Sequence, residues 1–127
     1  MPLIRLDEID REYVTPKYSS AFGELVAGER IEVGRLHFEA DEGAVEHAHP
    51  QEQVMLIISG RLRVEIPDEG ADAELGAGEG FHAPSGVKHK VTAVEDSVVI
   101  SCKDVVDGIG HKMAPGELDR LEQLGKA

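Results

Sequence analysis

The sequence predicts an all-β domain, a closed barrel or a sandwich, on three observations. Fourteen glycines and six prolines punctuate short apolar segments. The segments are strand-sized and recur about every 8–12 residues. No helical pattern intervenes between them. With 127 residues the chain has the size of one domain, enough to bury roughly two-thirds of the surface its unfolded form exposes.

Taken in order, Leu3–Leu6 and Tyr13–Thr15 are short apolar segments suited to N-terminal strands within residues 1–29. Ile31–Phe38 reads as a strand whose apolar parity shifts at Gly34, from Ile31 and Val33 to Leu36 and Phe38, which predicts a bulge. Glu52–Ile58 is almost continuously apolar, as expected of a strand packed on both faces. Ser59-Gly60 predicts a tight hairpin into Arg61–Ile66, where Leu62, Val64 and Ile66 alternate with Arg61, Arg63 and Glu65 on a solvated face. Pro67-Asp68-Glu69-Gly70 is a turn, and Ala73–Leu75, Gly80–Ala83, Lys88–Val94 and Ser97–Val106 continue the strands. Only the end reads as helical: Pro115-Gly116 opens it, Leu118, Leu121 and Leu124 form a short stripe, and Gly125 closes it. The expected organisation is one domain over 1–127, with a core barrel at about 30–106 and a tail with a short helix over 107–127.

Thirteen Lys and Arg stand against 25 Asp and Glu, a formal net charge of −12. Such a chain repels phosphate backbones and anionic membrane surfaces, so neither nucleic acid nor membrane is an expected partner. The longest aliphatic run, Val54–Ile58, falls far short of the about 20 residues that cross a bilayer. Residues 1–8 show neither a basic start nor an apolar signal core. One cysteine, Cys102, allows no internal disulfide and no cysteine-based zinc cluster. A soluble protein of the reducing cytoplasm is the expectation.

Histidine is the unusual chemical resource: His37, His47, His49, His82, His89 and His111. His47 and His49 are two apart, so on a strand both leave from one face. Gln53 has the same parity, and His89 heads a later strand with Val91 and Ala93 in phase. Three imidazoles and an amide oxygen delivered into a barrel can form a mononuclear metal site. A His-x-His pair alone is more often incidental; here the surrounding spacing changes the balance.

From Gly43 the chain runs through His47, His49 and Gln53 to Gly60, and Gly78 is followed by Pro84, Gly86 and His89. This resembles the two-part signature of the cupin superfamily: His-x-His, an acid and a closing glycine, then Gly, Pro-x-Gly and a final His. The resemblance implies a double-stranded β-helix, the jelly-roll barrel of RmlC-like proteins, with His47, His49, Gln53 and His89 on one divalent transition metal ion (Zn, Ni, Fe or Mn). It also implies a homodimer, formed by lending N-terminal strands across an open sheet edge.

Three departures accompany the resemblance. The spacing from Gly43 to His47 is short, Gln53 replaces the usual acid, and Ala93 stands where an asparagine often closes the second motif. A glutamine oxygen brings no charge, so a bound cation keeps its own. That favours polarising an anionic substrate or activating water over the two-His-one-carboxylate chemistry of iron oxygenases.

His47-Ala48-His49-Pro50-Gln51-Glu52-Gln53 is also similar to the first motif of small pectin-degradation cupins, which linearise unsaturated uronates and share the Gln. Val94–Val99 is similar to their following strand. Beyond it they carry an acid, an aromatic and a downstream arginine, where this chain reads Ser101-Cys102-Lys103-Asp104-Val105. The ligand set carries over; the substrate-handling residues do not.

His82, between Phe81 and Ala83, is the candidate proton-transfer group, with a hydrogen-bonded barrel histidine as the competing reading. Glu52 points away from the His pair by parity. His37 reads as surface and His111 as a loop residue. Met55 and Ile57 read as apolar wall or core, and Cys102 as a small hydrophobe. Arg35 and Lys103 would bind an acidic substrate only if they face inward, and surface is their default. The expected function is a metal-dependent hydrolysis, isomerisation or elimination on a small anionic oxygenated metabolite such as an acid sugar. A metal-dependent dioxygenase and a non-catalytic ligand-binding or sensing barrel are the alternatives.

Overall fold

The computed structural model describes residues 3–112. After a 3-10 turn at Leu6–Glu8 come ten strands: β1 (Glu12–Tyr13), β2 (Phe22–Ala27), β3 (Ile31–Phe38), β4 (Gly43–His47), β5 (Gln53–Ser59), β6 (Arg61–Ile66), β7 (Ala71–Gly76), β8 (Gly80–Ala83), β9 (His89–Ala93) and β10 (Ser97–Asp104). They form a six-stranded sheet in the order β1-β2-β3-β10-β5-β8 and a four-stranded sheet in the order β4-β9-β6-β7. Every pairing is antiparallel. This is the double-stranded β-helix that the sequence led us to expect. The helix expected after Pro115 lies outside the described residues.

The sheets close on one apolar interior: Leu36 and Phe38 from β3, Met55 and Ile57 from β5, Leu62, Val64 and Ile66 from β6, Val91 and Ala93 from β9, and Val99 from β10. Each stands on the inward parity of its strand, and burying a side chain of this size contributes about 1.5–3 kcal/mol.

Three local expectations need correction. Gly34 is not a bulge, because β3 keeps continuous register with both β2 and β10. The inward face of β3 is Glu32, Gly34, Leu36 and Phe38, so a buried carboxylate, not an extra residue, interrupts the apolar pattern. Ser59-Gly60 is not a hairpin. The chain crosses there from one sheet to the other, and β6 pairs with β7 and β9 instead. Gly60 makes the corner with φ +93°, and a Cβ on it would collide with the Asp96 carbonyl and the Ser97 hydroxyl.

Third, β5 is covered on one face only. Met55 and Ile57 are buried, while Val54, Leu56 and Ile58 are exposed. In register with them, Val98, Ile100 and Cys102 of β10 are half-buried on the same outer surface. The N-terminal segments also differ from expectation: Leu3 and Ile4 are exposed outside any strand, and β1 pairs with β2 of its own chain.

Candidate metal centre

One end of the barrel collects the polar residues, and strand register is what collects them. In the six-stranded sheet, Glu32 of β3 pairs with Lys103 of β10, Lys103 with Gln53 of β5, and Gln53 with Ala83 of β8. This is a single inward-facing rung, with all four residues buried. In the opposite sheet His47, at the end of β4, pairs with His89 at the start of β9. A shift in the pairing between Ala44 and His47 turns the end of β4 toward the rung, and His49 follows in the connection to β5.

The candidate ligand atoms of His47, His49 and His89 all lie within 4.8 Å of one another. Their rings are 4.3–5.4 Å apart, and Tyr18 stacks on His47 at 4.0 Å. Each imidazole donates its Nδ1 proton to a nearby carbonyl oxygen: His47 to Val45 at 2.6 Å, His49 to Gln51 at 2.9 Å and His89 to Val87 at 3.0 Å. Those bonds fix the tautomer that leaves the Nε2 lone pair free. Nε2 of His49 and of His89 is buried with no hydrogen-bond partner. A buried polar atom left so costs about 1–3 kcal/mol, and a cation would offset that. The three histidines could hold a metal ion.

Gln53 sits beside them, 5 % exposed. Its Nε2 donates to Ser101 Oγ at 2.9 Å, which leaves the carbonyl oxygen as its available donor to a cation. The chain of bonds continues. Ser101 Oγ lies 2.8 Å from His111 Nε2, and His111 Nδ1 donates to Glu32 Oε1 at 2.7 Å. With Nδ1 protonated, His111 Nε2 accepts from the serine hydroxyl. The Glu32 carboxylate thus sets, through two intermediates, which end of Gln53 is committed.

Burial governs the protonation of the cluster. It depresses His47 to about 3, opposed by the Val45 carbonyl and assisted by its two histidine neighbours. It depresses His49 to about 4, with the Lys103 ammonium adding to the effect. His89 is lowered by the same causes. Lys103 is brought down to about 8 by burial, against the attraction of Glu32. Glu32 is held below the usual carboxylate range by its bond from His111. At neutral pH the imidazoles are therefore neutral, the form in which they bind metals.

Of the residues singled out from sequence, His47, His49, Gln53 and His89 come together. His82 does not. It lies on the outer face of β8, half exposed, bonded through Nε2 to Glu52 Oε1 at 2.8 Å. Inward parity on β8 belongs to Phe81 and Ala83, so His82 does not line the cavity. Glu52 points outward, as parity predicted. Arg35 is on the outer surface, held by Glu24 and Asp7. The sequence reading missed Glu32, took His111 for a plain loop residue and left Lys103 at the surface by default, naming it for an acidic substrate only if it faced inward. Lys103 was left at the surface because the inward parity of β10 (Ser97, Val99, Ser101, Lys103) is mostly polar while Val98, Ile100 and Cys102 on the other parity are apolar, and Glu32 was hidden because it breaks the apolar phase of β3. His111, 2 % exposed, enters from a loop that has no periodicity to read.

A cavity of about 30 Å³ lies between these side chains, lined among others by Tyr18, His47, Gln53, His89, Lys103 and His111. A hollow of about 300 Å³ shares Tyr18, His47 and His111 with it and adds Lys17, Asp107 and Lys112.

Two antiparallel sheets closed on one interior, with a histidine cluster at one end that could hold a metal ion, make a jelly-roll barrel. The chain belongs to the cupin family: the cupin-domain model matches residues 34–103. Among solved structures, an RmlC-like cupin from Shewanella frigidimarina superposes with a TM-score of 0.72 at 17 % identity, over 84 % of this chain and 93 % of that one. KdgF from Halomonas sp. gives 0.69 at 27 % identity, over 80 % and 93 %. The polyketide cyclase RemF from Streptomyces resistomycificus gives 0.70 at 15 % identity, over 97 % and 93 %. No curated protein sequence matches the chain. Among the described residues, no helix is long and apolar enough to cross a membrane.

Proposed function

We propose that this cupin is a metal-dependent enzyme for hydrolysis, isomerisation or elimination on a small anionic oxygenated metabolite, with an acid sugar as the first class to test. The carrying observation is the pair of buried, unpartnered Nε2 atoms of His49 and His89 beside His47, all three with Nδ1 already donated. His47, His49, His89 and the Gln53 oxygen are the proposed ligands. A divalent ion there, with no carboxylate ligand, would supply Lewis-acid polarisation of a carbonyl or hydroxyl, or an activated water. The chain's own part is to orient the imidazoles through the carbonyls of Val45, Gln51 and Val87, and to hold the Gln53 amide through Ser101. The similarity of the run from His47 to Gln53 to the first motif of the pectin-degradation cupins supports acid sugars as the starting screen.

The test is protein purified without contact with immobilised nickel, assayed for metal and then incubated, loaded, with unsaturated uronates and other acid sugars. Metal-dependent conversion without oxygen consumption is expected. Metal-dependent oxygen uptake would replace this reading with a dioxygenase. A loaded protein that binds these acids but turns none over would make the chain a binding module.

We also propose a homodimer, with the outer face of Val54, Leu56, Ile58 and Ile100 as its contact rather than lent N-terminal strands. Apolar side chains in register across two neighbouring strands make a patch that water disfavours. Light scattering at micromolar concentration should give twice the 13.7 kDa chain mass, and Leu56→Lys should return it to one. A monomeric mass for the wild type would sink the idea.

A further inference from the structure

We propose that Lys103 is the anion-binding group of this cavity and that the ligand is a small 2-hydroxy or 2-oxo acid, its carboxylate on Lys103 and its neighbouring oxygen toward the histidine cluster. The inference rests on the metal reading above and adds the recognition element that reading lacks.

Four observations carry it. Lys103 occupies the inward rung of β10, 4 % exposed, and lines the same cavity as His47, Gln53 and His89. Among the described residues it makes no hydrogen bond and no close ion pair, and its attraction to Glu32 acts across the rung. Glu32 turns Oε1 to His111, taking both its backbone N–H and its Nδ1 proton at 2.7 Å, and among the described residues it forms no ion pair with Lys103. The other polar groups lining the cavity are imidazoles, the Gln53 amide and the hydroxyls of Thr15, Tyr18 and Ser19, with no second cationic side chain among them.

A divalent ion and an ammonium would together place three positive charges against one carboxylate, inside a barrel where water screens poorly. Buried charge of one sign is stable only when paired. A bound anion completes the site, although the whole chain carries a net −12.

Size and spacing narrow the anion. Lys103 and Gln53 are cross-strand partners, and such residues stand about 4.5–5.5 Å apart at Cβ. Two adjacent oxygenated carbons can span the groups they carry. The cavity of about 30 Å³ admits a few heavy atoms, and a longer acid would leave its remainder in the adjoining hollow of about 300 Å³.

The test is calorimetric titration of zinc-loaded protein with glycolate, the smallest 2-hydroxy acid, for wild type, Lys103→Met and Lys103→Arg, with bound zinc measured in each. Methionine keeps the apolar stem and removes the charge. Glycolate should bind the wild type and bind Lys103→Met about 10- to 100-fold more weakly, with zinc content unchanged and partial recovery in Lys103→Arg. Ethylene glycol, which lacks the carboxylate, should show no difference between wild type and Lys103→Met. Equal glycolate affinity in wild type and Lys103→Met at equal zinc content would overturn the assignment. So would inorganic phosphate binding more tightly than glycolate, or a zinc-loaded wild type that takes no glycolate. A wild type that takes up no zinc overturns the metal reading instead, and the same glycolate titration of the metal-free pair then decides for or against Lys103 separately.

Discussion

Replacing His49 by alanine is expected to abolish stoichiometric metal binding while leaving the barrel folded. His49 lies in the connection between β4 and β5, outside the sheet ladders, and its Nε2 makes no hydrogen bond. Its loss therefore removes one of three convergent imidazoles and little of what holds the chain together. Removing a group that merely orients a ligand costs 10–100-fold in metal affinity, so losing a ligand should cost at least about 100-fold. Elemental analysis of wild type and variant, purified side by side, reads this directly. A thermal scan reads it again: metal at about 1,000 times its dissociation constant adds about 4 kcal/mol, or roughly 10–20 °C for a domain of this size, and the variant should lose that rise. His82→Ala is the control. Its imidazole bonds Glu52 on the outer surface, so metal content and the thermal rise should be unchanged. Equal metal in wild type and His49→Ala would refute the ligand assignment.

The second large effect is the response to pH. The ordinary histidine value is 6.5, while burial holds His47 at about 3 and His49 at about 4. A lowered value means the folded chain resists a proton that the unfolded chain accepts. The stability these groups contribute is full above pH 6.5 and is lost as pH falls from there toward about 4 and 3. Between those values the slope approaches about 1 kcal/mol per pH unit for each group, and the His47 limb extends further into acid. Glu32, lowered by His111, and Glu24, lowered by Arg35, deepen the loss at the acid end. Lys103 acts in the other direction on the scale. Its folded value of about 8 lies below the ordinary 10.5, so the metal-free protein should gain stability between pH 8 and 10.5. Denaturant titrations of metal-free protein across pH 3 to 10.5 check both limbs. Lys103→Met should raise stability at pH 7, since it removes the desolvation cost of an ammonium that no hydrogen bond among the described residues offsets. It should also flatten the alkaline limb. A wild type with no gain above pH 8 would mean that Lys103 is solvated in the folded state. Metal, for its part, should stay bound down to about pH 4 rather than leave near 6.5.

The Lys103 expectation shows a tension between stability and binding at this site. A lysine without a hydrogen-bond partner in a barrel interior is a poor choice for folding alone. Glu32, which could have paired with it, is directed instead into the chain of bonds through His111 and Ser101 to Gln53. The barrel thereby leaves two kinds of unmet demand at one end: lone pairs on the imidazoles and a positive charge on Lys103. A cation and an anion meet them together.

How much of this could be read from the chain depends on how local the signal is. His47, His49, Gln53 and His89 were legible because their spacing, with Gly60, Gly78, Pro84 and Gly86, matches the cupin signature; strand alternation alone would not have placed them, since His47 ends β4, His49 lies in the connection and Gln53 opens β5. Pattern reading misplaced His82: Phe81 and Ala83 already held the inward parity, and pattern alone weighed that too lightly. It misjudged Gly34 and β5 for a related reason. An apolar pattern reports which residues prefer burial, not which face a single chain actually covers, so the exposed Val54, Leu56 and Ile58 read as core.

The sequence by itself determined an all-β cupin barrel, most of its strands from Ile31 onward and the four candidate ligands, because alternation, turn chemistry and short-range spacing are properties of neighbouring residues. Only the tertiary structure decided that β5 and β6 belong to different sheets, that Glu32, Lys103 and Gln53 share one rung, and that His111 closes a hydrogen-bonded chain to them. Those relations join residues up to 79 positions apart. They are set by strand register, and a slip of one residue would turn every one of those side chains to the outside.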